Sequence, residues 1–224
     1  MAKFEGLPRE IIALRVSREI EDNSYVNLGI GIPTLVGNWL EGRDVILQSE
    51  IGMLKTGPIA EGDDIDQDLI NASCQAVMQL PGTGYFDIVD SFAMIRGGHV
   101  DVTVMGAFQV NEIGDFASWF NPGRGLSGVG NVGGSMDLAV GARKLFIAME
   151  HTTTDGAPKI VRHLTYPATA RKKVSMIFTD LAVIAVTHGG LVLKEIMPGL
   201  TPEDLQSVTG PELHIARDLK EIEL

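Results

Sequence analysis

An apolar stretch, Tyr25–Leu28, runs straight into Gly29-Ile30-Gly31-Ile32-Pro33 and then into a helical segment, Thr34–Leu40. Strand, glycine turn and helix in that order make the building unit of α/β proteins, and its parts recur along the chain. Ile12, Val16 and Ile20, four residues apart, predict an amphipathic helix over 8–21. Val45–Gln48 reads as a second strand, and Asp87–Arg96 as a helix with Ile88, Phe92 and Ile95 on one face. Gly97-Gly98 supplies its stop. Val100–Val110 and Leu145–Met149 read as buried strands. Leu181–Thr187 and Leu191–Ile196 flank His188-Gly189-Gly190 as a hairpin. Thr201-Pro202-Glu203-Asp204 has the form of a helix start, with Thr as N-cap and an acid three residues on. Residues 53–84 and 121–134 read as loops. The first holds Gly57-Pro58 and Pro81-Gly82, and the second six glycines at 123, 125, 128, 130, 133 and 134.

The alternation predicts an α/β fold with a single open, mainly parallel sheet and helices on both faces. No repeat or polar linker divides the chain, so residues 1–224 are expected to form one domain. With 45% hydrophobic and 21% charged residues the chain is too apolar for disorder and long enough for a sizeable core. A net charge of −11 argues against a phosphate-tracking surface for nucleic acid. Cys74 is the single cysteine, so no internal disulfide asks for an oxidising compartment. No stretch of about 18 apolar residues suggests a membrane span, and residues 1–10 show no secretory core. A cytoplasmic protein is the expectation.

In open α/β sheets ligands bind beyond the carboxyl ends of the strands, which is where Gly29–Gly31 and Glu50 fall. Free amides in the glycine turn suit an anion or an oxyanion, although the third glycine of a dinucleotide fingerprint is missing. On these residues alone the turn reads equally well as purely structural. Glu50 reads either as a solvated loop residue or as a nucleophile or general base in a partly desolvated site. The histidines at 99 and 151 are more simply hydrogen-bonding residues than catalysts. No HExxH pattern or cysteine set suggests a metal. Asp64, Asp66 and Asp68 open like a calcium loop, but Leu69 and Gln75 then break its pattern. GxSxG is absent.

Five segments in order, VNLGIGIPT (26–34), LQSEIG (47–52), SFAMIRGGHVDVTVMGAFQV (91–110), VGGSMDLAVGARK (132–144) and AMEHTTTDG (148–156), resemble one family. It is the beta subunit of class I CoA-transferases, of the acetoacetate or 3-oxoacid type, and the likeness runs from about residue 8 to about 210. The resemblance implies that Glu50, in the family's Ser-Glu-Asn-Gly motif, is the catalytic nucleophile. It would exchange CoA between an acyl-CoA and a carboxylate through a glutamyl anhydride and a glutamyl-CoA thioester, in ping-pong order. A thiol of pKa about 8.5 leaves without a general acid. Asn27, Gly133 and Gly134 match positions lining the glutamate.

Gly29, Gly31, Ile51, Gly52 and Lys55 would contact CoA or the substrate. Ile51 stands where the family has Asn, and Lys55 interrupts the glycine-rich continuation, so both bear on acyl specificity. CoA enters as substrate, with no cofactor or metal implied. A homologous alpha subunit, in an α2β2 or larger assembly, would complete the site. Two alternatives stand beside this reading: a sugar-phosphate isomerase or deaminase of similar architecture, and a non-catalytic subunit of a transferase-like complex.

Overall fold

The computed structural model describes residues 4–130 and 132–223. Its elements run α1 (Arg9–Glu19), β1 (Ser24–Leu28), α2 (Ile32–Leu35), β2 (Val45–Ser49), β3 (Met53–Ile59), β4 (Val77–Tyr85) and α3 (Ile88–Arg96). There follow β5 (Val102–Met105), β6 (Gln109–Asn111), β7 (Phe116–Ala117), α4 (Ser135–Gly141), β8 (Lys144–Ala148) and β9 (Ile160–Val161). The chain closes with β10 (Val174–Phe178), β11 (Ala182–Thr187), β12 (Gly190–Ile196), α5 (Pro202–Ser207) and β13 (Leu213–Glu221). Ten strands form one sheet in the order β13-β12-β11-β10-β8-β5-β1-β2-β3-β4. The five central strands, β10 to β2, are all parallel.

Both faces of these central strands are buried, so their residues alternate between two cores rather than between core and water. Val26, Val104, Phe146 and Phe178 meet Ile12, Val16 and Ile20 of the first helix. Leu145, Ile147 and Ile177 point the other way and pack with Ile95 and Leu138 of α3 and α4. A buried bidentate pair fastens α1 to β12: Arg15 Nε and Nη2 donate to Glu195 Oε2 and Oε1 at 2.5 and 2.6 Å. The hairpin of β11 and β12 and the capping box of Thr201 and Asp204 stand as the sequence predicts.

Four departures have local causes. The sheet is mixed: β2/β3, β3/β4, β10/β11 and β11/β12 are antiparallel, while the five central strands and the edge pair β12/β13 are parallel. Residues 53–84, expected as loop, contain β3 and β4. Pro81 lies on the edge strand, and β2 pairs with β3 only as far as Leu54, which leaves Pro58 without a strand on that side. The ladder shifts register on either side of Thr56, and Gly57 is required there because a Cβ would lie 2.6 Å from the Met78 carbonyl oxygen.

The expected strand Val100–Val110 breaks at Gly106, and β6 leaves to form a second, three-stranded sheet with β7 and β9. The helix expected at Thr34–Leu40 starts earlier, with Pro33 in its first turn, and passes into a tighter 3-10 turn at Val36–Trp39. No helix among the described residues is long and apolar enough to cross a membrane. Asp64, Asp66 and Asp68 are exposed.

Candidate active site

β1 and β2 lie side by side and parallel, with Asn27 opposite Gln48, so both carboxyl ends open on the same edge of the sheet. Glu50 is the first residue beyond β2. The turn that carries it closes at Gly52, whose φ is +120° and whose Cβ, if present, would lie 2.2 Å from the Phe86 carbonyl oxygen. Phe86 N donates to the Gly52 carbonyl at 3.0 Å, and Asp87, the next residue, caps α3. Only glycine fits both demands.

Beyond β1, Gly29 N donates to the Val104 carbonyl at 2.9 Å. Gly31 has φ +91° and turns the chain into α2. From the other side come Gly133 and Gly134, just before α4. Phe92 packs so closely on Gly134 that a Cβ would lie 2.6 Å from its ring.

Glu50, Gly29, Gly31, Gly133 and Gly134 line one open cleft of about 410 Å³. Asn27 is fully buried beneath it, and its Nδ2 donates to Glu50 Oε2 at 3.1 Å. The remaining candidates fall outside the lining. Ile51 is exposed beside Glu50, and Gly52 is buried in the turn. Lys55, at φ +61°, is exposed on β3 with its ammonium beside Gly82. Its reach is therefore toward the β3–β4 edge and not into the cleft.

The opposite rim carries three residues that the sequence reading passed over: Arg9, Glu150 and Lys159. Glu150 accepts from Arg9 Nε and Nη2 at 2.9 and 2.5 Å and lies 3.7 Å from Lys159 Nζ. Burial acts to raise the pKa of Glu150, but its own backbone N–H, Arg9 and Lys159 prevail and hold the carboxyl below its usual range. Burial lowers the pKa of Lys159, against the pull of Glu150 and Asp180. Glu150 lies two residues beyond the end of β8, so the strand-end rule that singled out Glu50 applies to it as well. Its neighbour His151 is fully buried, with Nδ1 and Nε2 each 2.9 Å from a threonine hydroxyl, Thr179 and Thr209. Burial, then the charge of Lys159, pushes its pKa down to about 3. A neutral imidazole with both nitrogens engaged is structural, as its sequence position suggests.

Residues 9–207 match the coenzyme A transferase family. The chain belongs to that family. It is 47% identical to the B subunit of the 3-oxoadipate CoA-transferase of Acinetobacter baylyi, over 94% of this chain and 96% of that one. It is 44% identical to the beta subunit of the acetate CoA-transferase of Escherichia coli K12, over 94% and 95% of the two chains. The crystal structure of an acyl-CoA transferase apoenzyme from E. coli O157:H7 superposes with a TM-score of 0.77 at 21% identity. All of this family member lies within 44% of that longer chain, a likeness of fold.

Proposed function

We propose that the chain is the nucleophile-bearing subunit of a two-subunit CoA-transferase, and that Glu50 is the nucleophile. The observation that carries this is the convergence of Glu50 with the turns Gly29–Gly31 and Gly133–Gly134 on one cleft, with Asn27 donating to the carboxylate from below. A Glu50 oxygen attacks the acyl-CoA carbonyl carbon, the C–S bond breaks, and CoA departs as thiolate, leaving an acyl–glutamyl anhydride. The thiolate then attacks the glutamyl carbonyl carbon. That C–O bond breaks, the first acid leaves as carboxylate, and the enzyme holds CoA as a thioester. A second carboxylate reverses both steps.

Each addition places negative charge on a carbonyl oxygen, which suits fixed backbone amides such as those of Gly133 and Gly134. Water would hydrolyse the anhydride and has to be kept out. The cleft is open in this chain, and Ile30 and Val132 stand exposed in its lining, which supports cover by a homologous alpha subunit in an α2β2 or larger assembly. Gly29, Gly31 and the exposed Ile51 are then candidates for contact with CoA or substrate, whereas Gly52 is buried in the turn and Lys55 points toward the β3–β4 edge. The names of the relatives, 3-oxoadipate and acetate, point to small carboxylic and 3-oxo acids as exchange partners. Arg9 and Lys159 are the cations within reach of such an acid or of CoA phosphates.

The test is covalent. With its partner subunit and an acyl-CoA, the peptide containing Glu50 is expected to gain the mass of CoA less water. Glu50→Gln is expected to abolish adduct and exchange while the complex stays folded. A turning-over enzyme with no adduct on that peptide, or exchange by the variant, rules the proposal out.

A further inference from the structure

Glu50 does not meet Asn27 in isolation. Three oxygens surround Asn27 Nδ2: the Gln48 carbonyl at 3.0 Å, Gln48 Oε1 at 2.8 Å and Glu50 Oε2 at 3.1 Å. Its Oδ1 is buried without a hydrogen-bond partner among the described residues, so the amide is oriented wholly from its nitrogen side. Gln48 is oriented in turn. Its Oε1 accepts from Asn27, and its Nε2 donates to Ser91 Oγ at 2.8 Å. Asn27 and Ser91 are fully buried and Gln48 is 4% exposed. Solvent therefore offers no substitute partner inside this row.

The row has one consistent polarity. Reversing the Gln48 amide would set its NH₂ against the NH₂ of Asn27, and reversing Asn27 would turn its oxygen toward three other oxygens. We infer that Ser91 and Gln48 are positioning residues for Glu50, acting through the donor face of Asn27. The inference rests on the proposed role of Glu50. Ser91 lies on α3, the helix that begins just after Phe86 clasps Gly52, so one helix holds both the turn and the side chain of Glu50.

Without the Ser91 hydroxyl, the buried Gln48 Nε2 has no acceptor and the side chain can swing away from Asn27. Asn27 then keeps only the Gln48 backbone carbonyl to orient its donor toward Glu50. The carboxylate is left to wander from its attack position, and misplacement of a reacting group slows the chemical step more than it weakens binding.

The test uses the complex with its partner subunit and three variants, Ser91→Ala, Gln48→Met and Ser91→Thr. In the first two, the rate of CoA adduct formation on the Glu50 peptide is expected to fall by about tenfold to a hundredfold. KM for acyl-CoA should stay within about twofold. Ser91→Thr keeps the hydroxyl and should hold the rate within about threefold of the starting protein.

A second readout needs neither partner nor CoA. A carboxylate released from its donor offers its oxygens more freely to reagent, and carbodiimide with an amine labels such a group faster. Labelling of Glu50 in the folded chain is therefore expected to quicken in Ser91→Ala and Gln48→Met, and not in Ser91→Thr. Adduct and labelling rates unchanged in the first two variants overturn the inference, as does Ser91→Thr behaving like Ser91→Ala. If the unaltered complex forms no adduct, the proposed function falls by itself, and the labelling rates still decide whether the row holds Glu50.

Discussion

His151 makes the fold acid-sensitive in a way that can be calculated. In the unfolded chain an imidazole takes up a proton near pH 6.5, whereas in the fold burial and Lys159 push this one down to about 3. Between those values the unfolded state binds more protons, so stability is full above the upper value and falls as pH drops through the window. At about 1.4 kcal/mol per pH unit, this residue alone removes about 1 kcal/mol by pH ~5.5 and about 3 by pH ~4.5. A typical domain has only about 5–15 kcal/mol in total.

Asp180, whose carboxyl burial raises, acts in the opposite sense in acid, so the protein's own acid profile is a sum. The comparison that isolates His151 is with His151→Gln, which cannot titrate. Losing ring hydrogen bonds lowers the stability of that variant at neutral pH by about 1–3 kcal/mol. Its deficit is expected to shrink from neutral pH to pH ~4.5 by about 3 kcal/mol, read from urea unfolding at several pH values. A deficit that stays constant with pH, or an imidazole resonance that titrates above pH ~5, refutes the reasoning.

Two further outcomes follow from the packing. Arg15→Met leaves Glu195 buried with only Lys220, 3.5 Å away, and should cost about 3–5 kcal/mol in urea unfolding. Adding Glu195→Leu should recover most of that loss, and a double variant no better than the single one would show that the pair is not coupled. Gly52→Ala forces a side chain onto a backbone at φ +120° and against the Phe86 carbonyl, at a cost of about 1–3 kcal/mol or more. A lowered melting temperature and slower adduct formation on Glu50 are expected, and an alanine variant equal to the original in both would contradict the clasp.

The central strands were legible in the sequence because burial on both faces leaves unbroken apolar runs such as Leu145–Met149. Helix starts were legible through their caps, as at Asp87 and Thr201. β3 and β4 were hidden because Gly57, Pro58, Pro81 and Gly82 look like breakers, yet a sheet edge tolerates them where a centre would not. The glutamate and glycines of the cleft stood out as strand ends and turns. Arg9 and Lys159 did not, and Glu150 carried only the strand-end signal it shares with Glu50, since sequence spacing says nothing about a rim assembled from a helix start, a strand end and a distant loop. The Gln48–Ser91 bond joins residues 43 apart and has no local signature at all.

The stretch between β3 and β4 stands in contrast to this. Residues 61–68 are exposed throughout, including the short turn Gly62–Asp64. Such a loop can lengthen, shorten or change charge with little effect on the sheet. The run from Phe86 to Ser91 has no such latitude, because one inserted residue there would part the turn of Glu50 from the helix that holds it. Variation in length is thus channelled into the acidic loop and away from the nucleophile, which leaves the loop free to adapt to new neighbours while the chemistry stays fixed.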